Sequence, residues 1–291
     1  MNCGKSIRMG RLLHSVSGRS VIVPMDHGAT MGPIQGLVNL RDALTPLCAT
    51  PDLVQGLVLH RGTLQRSSEL LPAQAMPPRI LHVSSSTSVN PVSGGKAQVA
   101  WVEDALQMGA DAISIHVNLG VEQESVMMRD FGVLASACQR WGMPLLCMIY
   151  VRIQGQASNR VEHVKLAARV AAETGADLIK VSYPGSIEAM HEVTDGCFVP
   201  VLIAGGDKSD SERSLLQMVR DAMAGGASGV CMGRNLFQAD DVARFLRSVA
   251  DAVHSHVATR DDLPLDSRAV LNRASGLLSN APTRHASVME L

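Results

Sequence analysis

Aromatic side chains are scarce in this chain: Phe, Trp and Tyr make up 3% of its 291 residues. So few rings exclude a surface that stacks a run of nucleic-acid bases. An excess of positive charge is missing too. The 26 Lys and Arg are balanced by 27 Asp and Glu, for a formal net charge of −1, which excludes a general binder of phosphate backbones. No apolar run reaches the ~18 residues a membrane-spanning helix needs. The opening MNCGKSIRMGR is polar and basic with no apolar stretch behind it, so no secretory signal and a cytoplasmic setting are expected. None of the six cysteines forms a CxxC pair. Neither a zinc site nor a disulfide framework is therefore expected, and free thiols suit a reducing compartment. What the chain does have is 46% apolar residues, enough for a large core.

Eight short apolar runs alternate with longer amphipathic stretches. They lie at 21–25, 56–60, 79–84, 112–117, 144–150, 177–183, 199–204 and 228–233. Helical patterns are clearest at 97–108, 121–141, 159–174, 186–194, 211–225 and 239–256. Continuous apolar strands separated by helices read as a parallel sheet covered by helices. Eight such units in about 240 residues predict a single closed (β/α)8 barrel over residues 1–256. Residues 257–291 change character and read as a C-terminal extension. A doubly wound open sheet is the alternative, but neither GxGxxG nor a Walker A loop follows the first run.

A barrel places its active site at the carboxyl ends of its strands. Lys180 stands out there, flanked by Ile179 and Val181 in ADLIKVSYPG, while the other four lysines fall in polar loops or on a helix. Burial disfavours the ammonium, so a lowered pKa and some neutral amine are expected. Such an amine attacks carbonyls to form a Schiff base; a buried ion pair or a phosphate contact is the plainer reading. Tyr150 and Tyr183 both fall at strand ends facing the expected site, and Tyr150 is the candidate proton carrier. Asp26, leaving the first strand, reads as the lysine's charged partner, a base, or a helix cap. His116 is a candidate hydrogen-bond partner for substrate. IAGGDKS and CMGRN place Gly205, Gly206, Gly233 and Arg234 after the seventh and eighth strands. Barrels often bind phosphate there, through backbone amides and helix N-termini.

Taken together, GKSIRMGRLLHSVSGRSVIVPMDHGATMGPIQGL, CMIYVR, LIKVSYPG, VPVLIAGGDKS and GVCMGRNLFQ resemble the archaeal-type class I aldolase family. The likeness runs from about residue 4 to residue 256, and its first motifs resemble the 2-amino-3,7-dideoxy-D-threo-hept-6-ulosonate synthase branch most. It implies a metal-independent aldolase or transaldolase without a cofactor. It further implies a phosphorylated ketose-type donor, an aldehyde such as L-aspartate 4-semialdehyde, and a decameric or other ring-shaped homo-oligomer. Fructose-bisphosphate cleavage, a phosphorylated-diketone thiolase and a non-catalytic phosphosugar-binding barrel are the competing readings. By the resemblance Lys180 forms the Schiff base, Tyr150 donates a proton and Asp26 is the acid–base aspartate. Gly205, Gly206, Gly233 and Arg234 hold phosphate. His27, Gly28, Ala29 and Thr30, with Val151 and Arg152, fall in substrate-contacting segments. Two departures stand out: YVRIQG replaces the family's YPRG, and Asp207 stands where proline is common.

Overall fold

A computed structural model describes residues 2–89, 94–209 and 211–255; the expected extension at 257–291 lies outside them. Within these residues eight parallel strands close a barrel: β1 (Ser20–Pro24), β2 (Gly56–Leu59), β3 (Arg79–His82), β4 (Ala112–Leu119), β5 (Leu145–Ile153), β6 (Leu178–Val181), β7 (Val201–Ala204) and β8 (Gly229–Cys231). Each pairs with its neighbours in order, β8 pairs with β1, and all eight expected strands are present. Helices expected at 121–141, 159–174, 186–194, 211–225 and 239–256 form within a few residues of those bounds. The one expected at 97–108 starts only at Val102. Ala97 and Gln98 instead pair antiparallel with Ser84 and Ser85.

The two-residue alternation of a strand sorts the side chains into two cores. Outward residues pack against the helices. Inward ones form a separate buried cluster to which every strand contributes: Ile22, Val58, Ile80, Ala112, Leu146, Leu178, Leu202 and Cys231 among them. Two or four residues further along most strands the inward position turns polar. The barrel is thus apolar at its base and chemically equipped at its mouth.

A helix that the sequence reading lacked, Cys3–Arg11, closes the base. Met9 and Leu12 enter the inner cluster, and Asn2 caps the helix by accepting a hydrogen bond from the Gly4 N–H at 2.9 Å. Lys5 reaches Asp177 at 2.8 Å and Arg11 reaches Asp111 at 2.9 Å. These aspartates belong to the repeated GAD turns, and each also accepts a strand N–H, from Leu145 and Arg79 respectively. The repeat is thereby a clamp that ties strand starts to the base helix. Lys5 is buried, and removing it strands a largely buried carboxylate. Lys5→Ala is expected to cost about 3 kcal/mol, read from the urea midpoint. Lys5→Ala/Asp177→Asn should recover part of that loss, because no carboxylate is then left unpaired.

Candidate active site

Lys180 is the inward residue of β6 one step above Leu178, in register with Met148 on β5 and Leu202 on β7. Only 8% of it is exposed. Tyr150 stands two residues above Met148 on the neighbouring strand and packs against the inner cluster. The amine donates to Met148 Sδ at 3.9 Å, and it interacts electrostatically with the Tyr150 hydroxyl and the Cys231 thiol. Burial alone would lower the lysine's pKa, as expected from the sequence. The negative charges that Cys231, Tyr150 and Asp26 can carry outweigh it and raise the pKa above the ordinary lysine range; at neutral pH only Asp26 carries its charge, because burial raises the Cys231 and Tyr150 pKa values. That expectation is therefore corrected: the resting side chain is an ammonium. It becomes a nucleophile only by passing its proton to a nearby base.

Asp26 is the carboxylate whose charge acts on the lysine. It occupies the cap position of the short helix His27–Met31 yet makes no capping hydrogen bond. Its carboxylate turns instead toward His82 Nε2 at 3.6 Å and His27 Nδ1 at 3.7 Å, and Oδ1 is buried without a partner. Burial opposes its charge, but His82, His27 and Lys180 together hold its pKa well below the usual carboxylate range. Burial pushes both His27 and His82 down to about 4, so at neutral pH the standing cation beside Asp26 is Lys180. His82 Nδ1 lies 2.8 Å from Ser114 Oγ, and its ring meets His60 edge-on at 5.1 Å. With Nε2–H directed at the carboxylate, Nδ1 accepts from the serine hydroxyl.

On β4, His116 Nε2 and Arg152 Nε both approach Asn118 Oδ1, at 3.1 and 2.9 Å. The amide oxygen accepts from both, which places the imidazole hydrogen on Nε2. Burial is the main cause of a His116 pKa far below the ordinary value, so this ring is neutral. The Arg152 guanidinium lies over the Tyr150 ring, 5.8 Å from its centroid.

At the opposite rim, Gly205 and Gly233 are pressed against other groups. A Cβ on Gly205 would fall 2.4 Å from Met232 Cγ, and one on Gly233 2.4 Å from the Pro24 carbonyl. Gly206 adopts φ +71, a turn conformation that favours glycine. Asn235 ties the two loops by donating to the Gly205 and Asp207 carbonyls and accepting from the Ser209 N–H. Arg234 pairs with Asp207 and keeps a buried Nε without a partner. The helix after β8, Arg234–Phe237, is a single turn. The positive charge at this rim is therefore that of the Arg234 guanidinium rather than of a long helix.

Residues 20–239 match the model of the DeoC/LacD family aldolases. The chain belongs to that family. It is a class I aldolase. It is 40% identical over 256 residues to a 2-amino-4,5-dihydroxy-6-oxo-7-(phosphonooxy)heptanoate synthase of Streptomyces griseus, covering 86% of this chain and 90% of that protein. It is 37% identical over 268 residues to a 2-amino-3,7-dideoxy-D-threo-hept-6-ulosonate synthase of Archaeoglobus fulgidus, covering 92% and 98%. An archaeal fructose-1,6-bisphosphate aldolase, solved with its catalytic lysine covalently bound to a carbinolamine, superposes with a TM-score of 0.77 at 26% identity. The match covers 86% of this chain and 99% of that one.

The aldolase brings Asp26, His27, His116, Tyr150, Arg152 and Lys180 to one mouth, with Gly205, Gly206, Gly233 and Arg234 on its rim. Gly28 and Ala29 are exposed on the helical turn after Asp26, and Thr30 is half-buried there. Two expectations are corrected. Val151 points away from the cavity, because it alternates with Tyr150 and Arg152; it is buried in the outer core. Its contribution is a continued strand: with valine in place of proline, β5 runs on to Ile153. Tyr183 likewise packs against the outer core, leaving Tyr150 as the tyrosine of the site. The sequence reading also missed His82, which is nearly fully buried inside an apolar run, and Lys96, which is far from an idle loop lysine. Among the described residues no set of three or more His, Cys, Asp or Glu is arranged to hold a metal ion.

Asp207 makes Arg234 a testable point. Arg234→Ala is expected to weaken phosphorylated substrates about 10- to 100-fold and unphosphorylated analogues little, as loss of one charge-assisted contact implies. Asp207→Ala should act the other way, lowering KM for the phosphorylated substrate severalfold by freeing the guanidinium. Equal effects on both substrate types would make Arg234 a support of the fold.

Proposed function

We propose that this aldolase joins a phosphorylated ketone donor, dihydroxyacetone phosphate, to an aldehyde, L-aspartate 4-semialdehyde. The observation that carries the reading is Lys180 inside the barrel with Tyr150 and Asp26 in reach of one bound carbon skeleton. The glycine turns after β7 and β8 and Arg234 hold the donor's phosphate. Lys180 passes its proton to Asp26 as the donor binds. The free amine attacks the donor's carbonyl, and Asp26 returns its proton to the carbinolamine hydroxyl, which leaves as water to give a protonated imine and frees the carboxylate. The imine draws electrons from the adjacent carbon as Asp26 removes its proton, leaving an enamine. That carbon bonds to the aldehyde carbon while Tyr150 protonates the aldehyde oxygen. Water then releases the ketone product and restores the amine. The choice of acceptor follows the Streptomyces relative, whose named product carries a phosphate at one end and an amino acid at the other.

The archaeal neighbour supports a second reading, cleavage of fructose 1,6-bisphosphate, with the same donor half and another aldehyde. Mass spectrometry of products separates them. Incubation with dihydroxyacetone phosphate and L-aspartate 4-semialdehyde should yield the seven-carbon amino acid phosphate. If only glyceraldehyde 3-phosphate is accepted, the first reading is wrong.

A further inference from the structure

Two cations at the mouth have no carboxylate partner among the described residues. Lys96 donates from Nζ to Ser86 Oγ at 2.7 Å and forms no ion pair. Arg152 donates to Asn118 Oδ1 and to the Gly155 carbonyl, again without an acid. Their charges bear on each other, and that of Lys96 is felt at His27, His60, His82 and His116. Lys96 is thus directed over the cavity rather than outward. Its place is held by the strand pair Ser84–Ser85 with Ala97–Gln98, and by Asn118, which donates to the Gly94 carbonyl. Burial lowers the Lys96 pKa; Asp26 opposes this from beyond ion-pair distance and Arg152 adds to it.

The position of this pair is informative. Lys96 follows β3 and Arg152 ends β5, whereas the glycine turns and Arg234 follow β7 and β8. Lys180 on β6 and Tyr150 on β5 lie between the two poles. A substrate lying across the cavity would meet an anion site at each end. The two poles differ in chemistry. One is a cradle of backbone amides plus a guanidinium, suited to a phosphate. The other is two side-chain cations, a planar fork and a point charge, suited to a monoanionic carboxylate.

We propose that Lys96, with Arg152, is the specificity-determining site for the carboxylate of the acceptor aldehyde. The inference rests on the aldol reading and adds what selects the acceptor. Because Arg152 also covers the Tyr150 ring, docking the carboxylate there sets the aldehyde oxygen beside the phenol.

The test compares two four-carbon acceptors, 4-oxobutanoate and butanal, with dihydroxyacetone phosphate as donor. In Lys96→Met, kcat/KM for 4-oxobutanoate should fall about 10- to 100-fold, while that for butanal changes less than threefold. Lys96→Arg should restore most of the loss. Borohydride trapping of the donor should match wild type, showing that the donor half is intact. An equal fall for both acceptors, or no fall for either, overturns the proposal. So does a larger dependence on Lys96 for glyceraldehyde 3-phosphate, which would make the second anion a phosphate. Titration with succinate, an unreactive carboxylate of the same length, separates this from failure of the aldol reading. Binding at least tenfold weaker in Lys96→Met supports the site even if wild type condenses no aldehyde. Equal binding in the two proteins overturns it.

Discussion

Lys180→Met should abolish both turnover and covalent capture of the donor. Methionine fills the same space beside Met148 and Leu202, so the inner core stays packed and circular dichroism should match wild type. Among the described residues the other amine turned to this cavity, Lys96, follows β3, across the mouth from the glycine turns. A fall of about 10⁴- to 10⁶-fold is expected, as for loss of a nucleophile that works as one unit with its partners. In wild type, borohydride with dihydroxyacetone phosphate should leave a reduced adduct on Lys180, located by peptide mass. Lys96 provides a demanding control, because it is a second amine at the same mouth. An adduct on Lys96, or a Lys180→Met protein that still makes product, would move the chemistry elsewhere.

Removing one oxygen from Tyr150 should separate imine formation from carbon–carbon bonding. Tyr150→Phe keeps the ring that packs on the inner cluster and under Arg152, so folding should change little. Adjacent strands lie about 4.8 Å apart, close enough for a β5 phenol to reach the aldehyde oxygen of a substrate held on β6. A loss of about 10²- to 10⁴-fold in turnover is expected for a missing general acid, with borohydride trapping retained. Burial raises the pKa of this phenol despite the opposing charge of Lys180, so it is protonated at neutral pH and ready to donate. Near-wild-type turnover would reduce Tyr150 to a packing residue. Loss of trapping as well would place its role in imine formation and leave Asp26 as the better candidate for the aldol proton.

The strands were legible because each is a short, continuous, β-branched run, and the barrel follows from their number and spacing. The base helix was not legible. Cys3–Arg11 buries little more than Lys5 and Met9, so its periodicity is faint, and its partners Asp111 and Asp177 are remote in the chain. The helix Leu40–Cys48 was hidden by the proline at position 46. In the site, Lys180 was visible as a charge inside an apolar run. His82 has the same signature, but a histidine in such a run reads equally well as core. The raised pKa of Lys180 could not be read at all: burial is a local property of a strand, whereas the Asp26 carboxylate reaches the amine only when the barrel closes. Val151 was misplaced because a resemblance carries a segment, while the strand's alternation decides which of its side chains turn inward.

The base helix has a consequence for how the chain folds. It is synthesised before every strand of the barrel, yet Arg8 donates to the Gly142 carbonyl, 134 residues later, and Lys5 waits for Asp177. Such contacts carry a high loop-closure cost and form late. While the strands up to β6 are being made this helix therefore has no partner, and the barrel's lower end stays open until the sixth strand has emerged. Interactions made by Lys5 and Arg11 should then be absent from the folding transition state. Their loss would show as faster unfolding with little change in refolding.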